Sequence, residues 1–135
     1  MTAVLPSLTL RTKFGSFKFE SGLSPVRICT NTGIVERPCH FRDRGLALVE
    51  LSEKGSTTYN VTHETSGMQV CPKMAERHQA LAIAVALLHL PIDWGRPVGE
   101  LKGQVRALSH DERALLSALQ SGSIQFVNID QDGVQ

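Results

Sequence analysis

Three things common in small proteins are scarce in this chain, and each absence excludes something. Cysteine occurs three times, at Cys29, Cys39 and Cys71; an odd count cannot pair off within one chain and suits a reducing compartment better than a disulfide scaffold. Net charge is nearly absent: 14 Lys and Arg face 13 Asp and Glu for a formal +1. That excludes a uniformly basic histone-like protein, and with 41% hydrophobic residues it excludes a disordered tail. Long apolar runs are missing too. The longest, Ala80 to Leu88, is followed by His89 and stopped by Pro91, whereas a membrane span needs roughly 20 predominantly apolar residues. The run therefore reads as a core helix, with no membrane partner expected. The opening Met1-Thr2-Ala3-Val4-Leu5-Pro6 lacks the charged start and apolar stretch of a secretion signal, so a cytoplasmic protein is expected. At 135 residues the chain suits one domain over 1–135, since domains usually run to about 100 to 200 residues.

The first half alternates with a period of two. Leu8, Leu10 and Phe14 share one parity and Phe17 and Phe19 the other, with the switch at Gly15-Ser16; this predicts two strand pieces joined by a bulge or tight turn. Ser24-Pro25 and Asn31-Thr32-Gly33 bracket short strands at Val26 to Cys29 and Ile34-Val35, as in an antiparallel meander. Leu46 to Leu51 is apolar except for Glu50 and fits a central strand. A hairpin loop at 52–56 leads into Thr57 to His63, where Thr57, Tyr59, Val61 and His63 share one face. Glu64-Thr65-Ser66-Gly67 turns the chain, and Met68 and Val70 begin a further alternation that Pro72 ends.

From Met74 the period changes. Met74, Leu81, Val85 and Leu88 form a helical stripe that Ile83, Leu87 and Leu90 widen, so apolar that it needs cover on most sides. Val98, Leu101, Val105 and Leu108 recur at helical spacing as that cover. Ser109 and Glu112 match a capping box and predict a last helix with Leu115, Leu116 and Leu119 on its apolar face, closed by Gly122. Ile124 to Ile129 resembles a final strand. The fold expected is α+β: an antiparallel sheet in the N-terminal half, packed in two layers on a central apolar helix with one or two C-terminal helices.

No linear motif carries chemistry. Cys29, Cys39, His40, His63, Cys71 and His78 include the residue types of a zinc site, but none form the close C-x₂₋₄-C pair such sites use. Buried cysteines and surface histidines, with no metal and no cofactor, are the expectation. A nucleophile with His40, His63 or His78 as base and Asp43 or Glu64 as orienter is recognised by geometry alone. No G-x-S-x-G, phosphate loop or H-E-x-x-H is present, and Gly15-Ser16 and Ser66-Gly67 read as turns. No enzyme and no catalytic residue are expected. His63-Glu64 reads as a partly solvated strand end. Trp94, the only tryptophan, is either an exposed anchor for a partner or a lid folded onto the helix end.

Charge is distributed unevenly. Residues 1–44 hold Arg11, Lys13, Lys18, Arg27, Arg37, Arg42 and Arg44 against Glu20, Glu36 and Asp43, a net +4; residues 45–135 carry −3, which together give the +1. Those seven basic residues and Trp94 are the expected binding residues for a protein or nucleic-acid partner. Phenylalanines interleaved with cations suit single-stranded nucleic acid, although Phe17 and Phe19 have the parity opposite to Lys18, which favours a core role. A basic and an acidic face also allow a homodimer.

Tyr59-Asn60-Val61-Thr62-His63-Glu64-Thr65-Ser66-Gly67-Met68, followed by the apolar helix Gln79 to Leu90 and by Pro91-Ile92-Asp93-Trp94, resembles a strand-turn-strand-helix module of small uncharacterised proteins of phages and other mobile elements. It spans residues 57–94, under a third of the chain, and brings no catalytic residues with it. The resemblance implies a setting in which small proteins bind nucleic acid or block host defence, anti-CRISPR proteins among them. The function expected is thus a non-catalytic binding protein that acts on a partner protein, with nucleic-acid binding through the basic N-terminal strands as the alternative.

Overall fold

The computed structural model describes residues 9–12, 15–18, 23–53, 55–122 and 130–132. Its centre is the expected apolar strand, β6 (Leu46–Glu53), paired antiparallel with β5 (Cys39–Asp43) and β7 (Ser56–His63), with a two-residue β8 (Met68–Gln69) beyond β7. β6 is apolar on both parities, and both are buried: Leu46 and Leu48 face one core, Ala47, Val49 and Leu51 another. A strand buried on both faces needs a layer on each side. On one side lies the hairpin of β3 (Val26–Thr30) and β4 (Gly33–Arg37), whose Val26, Ile28 and Val35 complete the second core. On the other lies α1 (Arg77–His89).

Three layers therefore replace the two expected, and the difference shows on β7. The Asn60 and Thr62 parity, which an open sheet would leave wet, is buried beneath the β3–β4 hairpin. Its polar groups are satisfied in place: Thr62 Oγ1 donates to Asn60 Oδ1 at 2.9 Å and Asn60 Nδ2 to Gln69 Oε1 at 3.3 Å.

The central helix starts later than its stripe suggests. Met74 belongs to no helix; its N–H and carbonyl both pair with Tyr59, extending the sheet past Pro72. Glu76 then caps α1 in a capping box with Gln79. Ala80 to Leu88 is buried without interruption, because α1 lies against β6 and β7, against α3 (His110–Gln120), and against β1 (Thr9–Thr12) and β2 (Gly15–Lys18). Ser109 and Glu112 form the predicted box at the start of α3, and Gly122, at φ +87°, follows its end. α2 (Val98–Arg106) sits on the rim, with Leu101 and Val105 against the core and no residue fully buried. β1 pairs with β2 and also with β9 (Asp130–Asp132). Gly15-Ser16, expected as the joint between the two strand pieces, instead begin β2, with Gly15 opposite Thr12 and Ser16 opposite Arg11; the strand expected at 124–129, Phe14 and Phe19 lie outside the described residues, as do the side chains of β1 and β2. The α+β class stands. No helix among the described residues is long and apolar enough to cross a membrane.

Candidate functional site

The segment after α1 builds one wall of a groove because three different elements pin it. Trp94 is 5% exposed and its indole N–H donates to the Leu87 carbonyl at 3.1 Å, stitching the loop to the last turn of α1. The Asp93 N–H donates to Gln104 Oε1 at 2.6 Å, and Gln104 Nε2 donates back to the Asp93 carbonyl at 3.4 Å, which ties the loop to α2. Gly45, in the β5–β6 turn, lies so close that a Cβ there would sit 2.5 Å from the Trp94 carbonyl group. Trp94 is thus a lid on the helix end. As an exposed anchor it is corrected: its hydrogen-bonding group and most of its ring are already engaged.

Between this loop, β8, α2 and α3 runs a groove of about 470 Å³. Met68, Val70, Val98, Leu101, Val105 and Leu116 give it an apolar lining, and Met68 is left 54% exposed. Lys102 and Arg106, one turn apart on α2, stand on the same groove, whose lining among the described residues contains no Asp or Glu. Four-residue spacing puts both cations on one helix face.

His63 and Ser66 lie in the same groove. His63 is only 2% exposed, not the partly solvated strand end expected of it. Its Nε2 is 2.9 Å from the Arg96 carbonyl and its Nδ1 2.8 Å from Ser66 Oγ. A carbonyl only accepts, so Nε2 carries the proton; in the neutral ring Nδ1 then offers a lone pair to the Ser66 hydroxyl. Ser66 Oγ in turn receives the Met68 N–H at 3.2 Å. Behind the turn, β3 holds it in place: Cys29 N–H donates to the Gly67 carbonyl at 2.8 Å and Cys29 Sγ to the Ser66 carbonyl at 3.2 Å. Gly67, at φ +72°, has its Cβ position 3.0 Å from the Arg27 carbonyl, so glycine is what permits this approach.

The expected basic residues do not gather around the groove. Arg42 is drawn into the fold, its Nε on Glu64 Oε1 at 2.8 Å and its other nitrogens on Ser24. Glu64 is consequently engaged by Arg42 and does not orient His63. Arg44 lies against Asp43 at 3.2 Å. Arg27 is exposed on β3 opposite Glu36, and Arg37 donates to the Glu36 carbonyl at 2.9 Å. Arg11, Lys13 and Lys18 have side chains outside the described residues. The groove residues that sequence reasoning passed over are Met68, Lys102 and Arg106. Their signal was a four-residue cation spacing on the polar flank of the Leu101–Val105 stripe.

A second buried polar group sits on the same face of the sheet, toward the other end of β6 and β7. A bulge between Cys39 and Phe41 leaves His40 as the extra residue, turned toward Glu50 rather than away from it. His40 Nε2 is 3.0 Å from Glu50 Oε1, and the ring meets Tyr59 edge-on at 5.7 Å. Burial, and then the Glu50 carboxylate, push the Tyr59 phenol above its ordinary range, with Arg77 pulling the other way. Among the described residues no three His, Cys, Asp or Glu side chains gather as a metal would require. Comparison with protein-family models, curated proteins and solved structures finds no match to this chain.

Proposed function

We propose that the protein acts by binding a partner protein, and that the groove between β8, the Trp94 loop, α2 and α3 receives a segment presenting apolar side chains beside carboxylates. One observation carries this reading: an apolar trough of about 470 Å³ flanked by Lys102 and Arg106, with no acidic lining residue among the described residues. Apolar area supplies most of the attraction in such sites, while unneutralised cations select an acidic partner and speed its approach. That the partner is a host defence protein is part of this proposal, and it comes from the setting that the resemblance of 57–94 implies, in which small proteins bind nucleic acid or block host defence.

The test uses a synthetic amphipathic peptide with leucines on one face and glutamates on the other, followed by fluorescence anisotropy. Saturable binding is expected, weakened about tenfold or more by Lys102→Glu combined with Arg106→Glu, each lost close charge pair being worth on the order of 1 kcal/mol. Absence of binding, or equal binding of a lysine counterpart, overturns the reading. A labelled single-stranded oligonucleotide that binds with steep salt dependence, and is weakened by Arg27→Ala and Arg37→Ala, would favour nucleic acid as the partner instead.

A further inference from the structure

We propose that Ser66 is a nucleophile activated by His63, able to take an acyl group from esters whose acyl chain is apolar. The inference is independent of which partner the groove binds. Three relations support it. First, the base is correctly polarised: the Arg96 carbonyl fixes the proton on His63 Nε2, leaving Nδ1 to receive the Ser66 proton across 2.8 Å. A backbone carbonyl thus takes the place that a carboxylate has in the usual nucleophile–base–orienter arrangement. Second, the pair is held rigidly, by the β3 contacts of Cys29 behind the turn and by the Met68 N–H on Ser66 Oγ. Third, both residues line an apolar groove together with two cations, Lys102 and Arg106. The apolar lining offers room for an acyl chain beside the Ser66 hydroxyl.

In the first step Ser66 Oγ bonds to the acyl carbon and its proton passes to His63 Nδ1. The imidazolium keeps its Nε2 proton on the Arg96 carbonyl. The bond from the acyl carbon to the ester oxygen then breaks, and the departing alcohol takes the proton from Nδ1, leaving acyl-Ser66 and a neutral His63. Water, deprotonated by Nδ1, releases the acid and restores the serine; the sum is ester plus water to acid plus alcohol.

The full-length protein is treated with an alkyl fluorophosphonate and mapped by tandem mass spectrometry, and separately with p-nitrophenyl butanoate. Phosphonylation is expected at Ser66 about 100-fold faster than at any other serine, the low end of what a positioned base contributes. Release of p-nitrophenol is expected from the unaltered chain and to fall to the uncatalysed rate in Ser66→Ala. His63→Gln, which keeps a donor and an acceptor, should slow labelling by a similar factor. No labelling, labelling spread evenly over the serines, or ester cleavage that survives in Ser66→Ala overturns the proposal. Should His63→Gln fail to fold, the selectivity among serines in the unaltered chain still decides.

Discussion

Arg44 holds a backbone conformation that its side chain does nothing to favour. With φ at 49°, followed by Gly45 at 95°, it completes a two-residue turn between β5 and β6 of the kind in which both central residues are left-handed. Asparagine adopts that region at lower cost, so Arg44→Asn should stabilise the protein by about 0.5 to 1 kcal/mol, read as a raised urea midpoint. The Asp43 contact it removes is half-exposed and worth little. The cysteines divide as sharply. Cys29 is exposed, while Cys39 and Cys71 are buried, so a thiol reagent should modify one cysteine rapidly and the other two only on unfolding. Burial pushes the Cys71 thiol up to about 11 from an ordinary 9.0, opposed by a backbone hydrogen bond with Val61. Between those values the unfolded chain gives up a proton that the folded chain keeps, so stability is intact below pH 9 and declines toward pH 11. The loss approaches about 2 to 3 kcal/mol at 1.36 kcal/mol per unit. Thermal melts across that range should show it, and Cys71→Ala, though less stable throughout, should remove this part of the pH dependence.

Elements differ in how much of their stability is their own. α3 begins with a complete capping box, Glu112 N–H on Ser109 Oγ at 3.1 Å and Ser109 N–H on Glu112 Oε1 at 2.8 Å. Ser109→Ala should cost about 1 kcal/mol, and a denaturant titration measures it. α1 depends on its surroundings instead: Leu87 is fully buried, and Leu87→Ala should cost about 2 to 5 kcal/mol. Both helices were legible in the sequence, the first by a two-residue signature and the second by its run of apolar residues. The start of α1 was not, because Met74 has the right spacing for the stripe while its backbone is taken by Tyr59. The third layer was half legible: β6 is apolar on both parities, but only the pairing of Val26, Ile28 and Val35 into one face shows which element covers it. The candidate site was hidden for a different reason. His63 and Ser66 are three residues apart in a turn, and nothing in that spacing says that Arg96, far along the chain, will fix the ring.

At the scale of the whole molecule, rigidity is graded from the sheet outward. β6 and β7 lie between two cores, whereas α2 has no fully buried residue. Amide hydrogen exchange should therefore be slowest in β6 and β7 and fastest, among the helices, in α2. One wall of the groove is then the most yielding part of the helical layer, suited to adjusting around an occupant, while the His63–Ser66 wall is anchored to the sheet. The net charge of +1 hides an uneven distribution, but the fold spends part of it internally: Arg42 joins β5 to Glu64 and to Ser24 at the entry to the β3–β4 hairpin. The pairing of β1 with β9, Thr9 opposite Asp132, bears on time rather than on strength. A contact that closes nearly the whole chain into a loop is among the last a folding polypeptide can make. During synthesis at about 5 to 20 residues per second, the β1–β2 flank of α1 must wait for its third strand until residues 130–132 have been added. For that interval the β1–β2 pair, which lies against α1, has an open edge where β9 will later pair with β1.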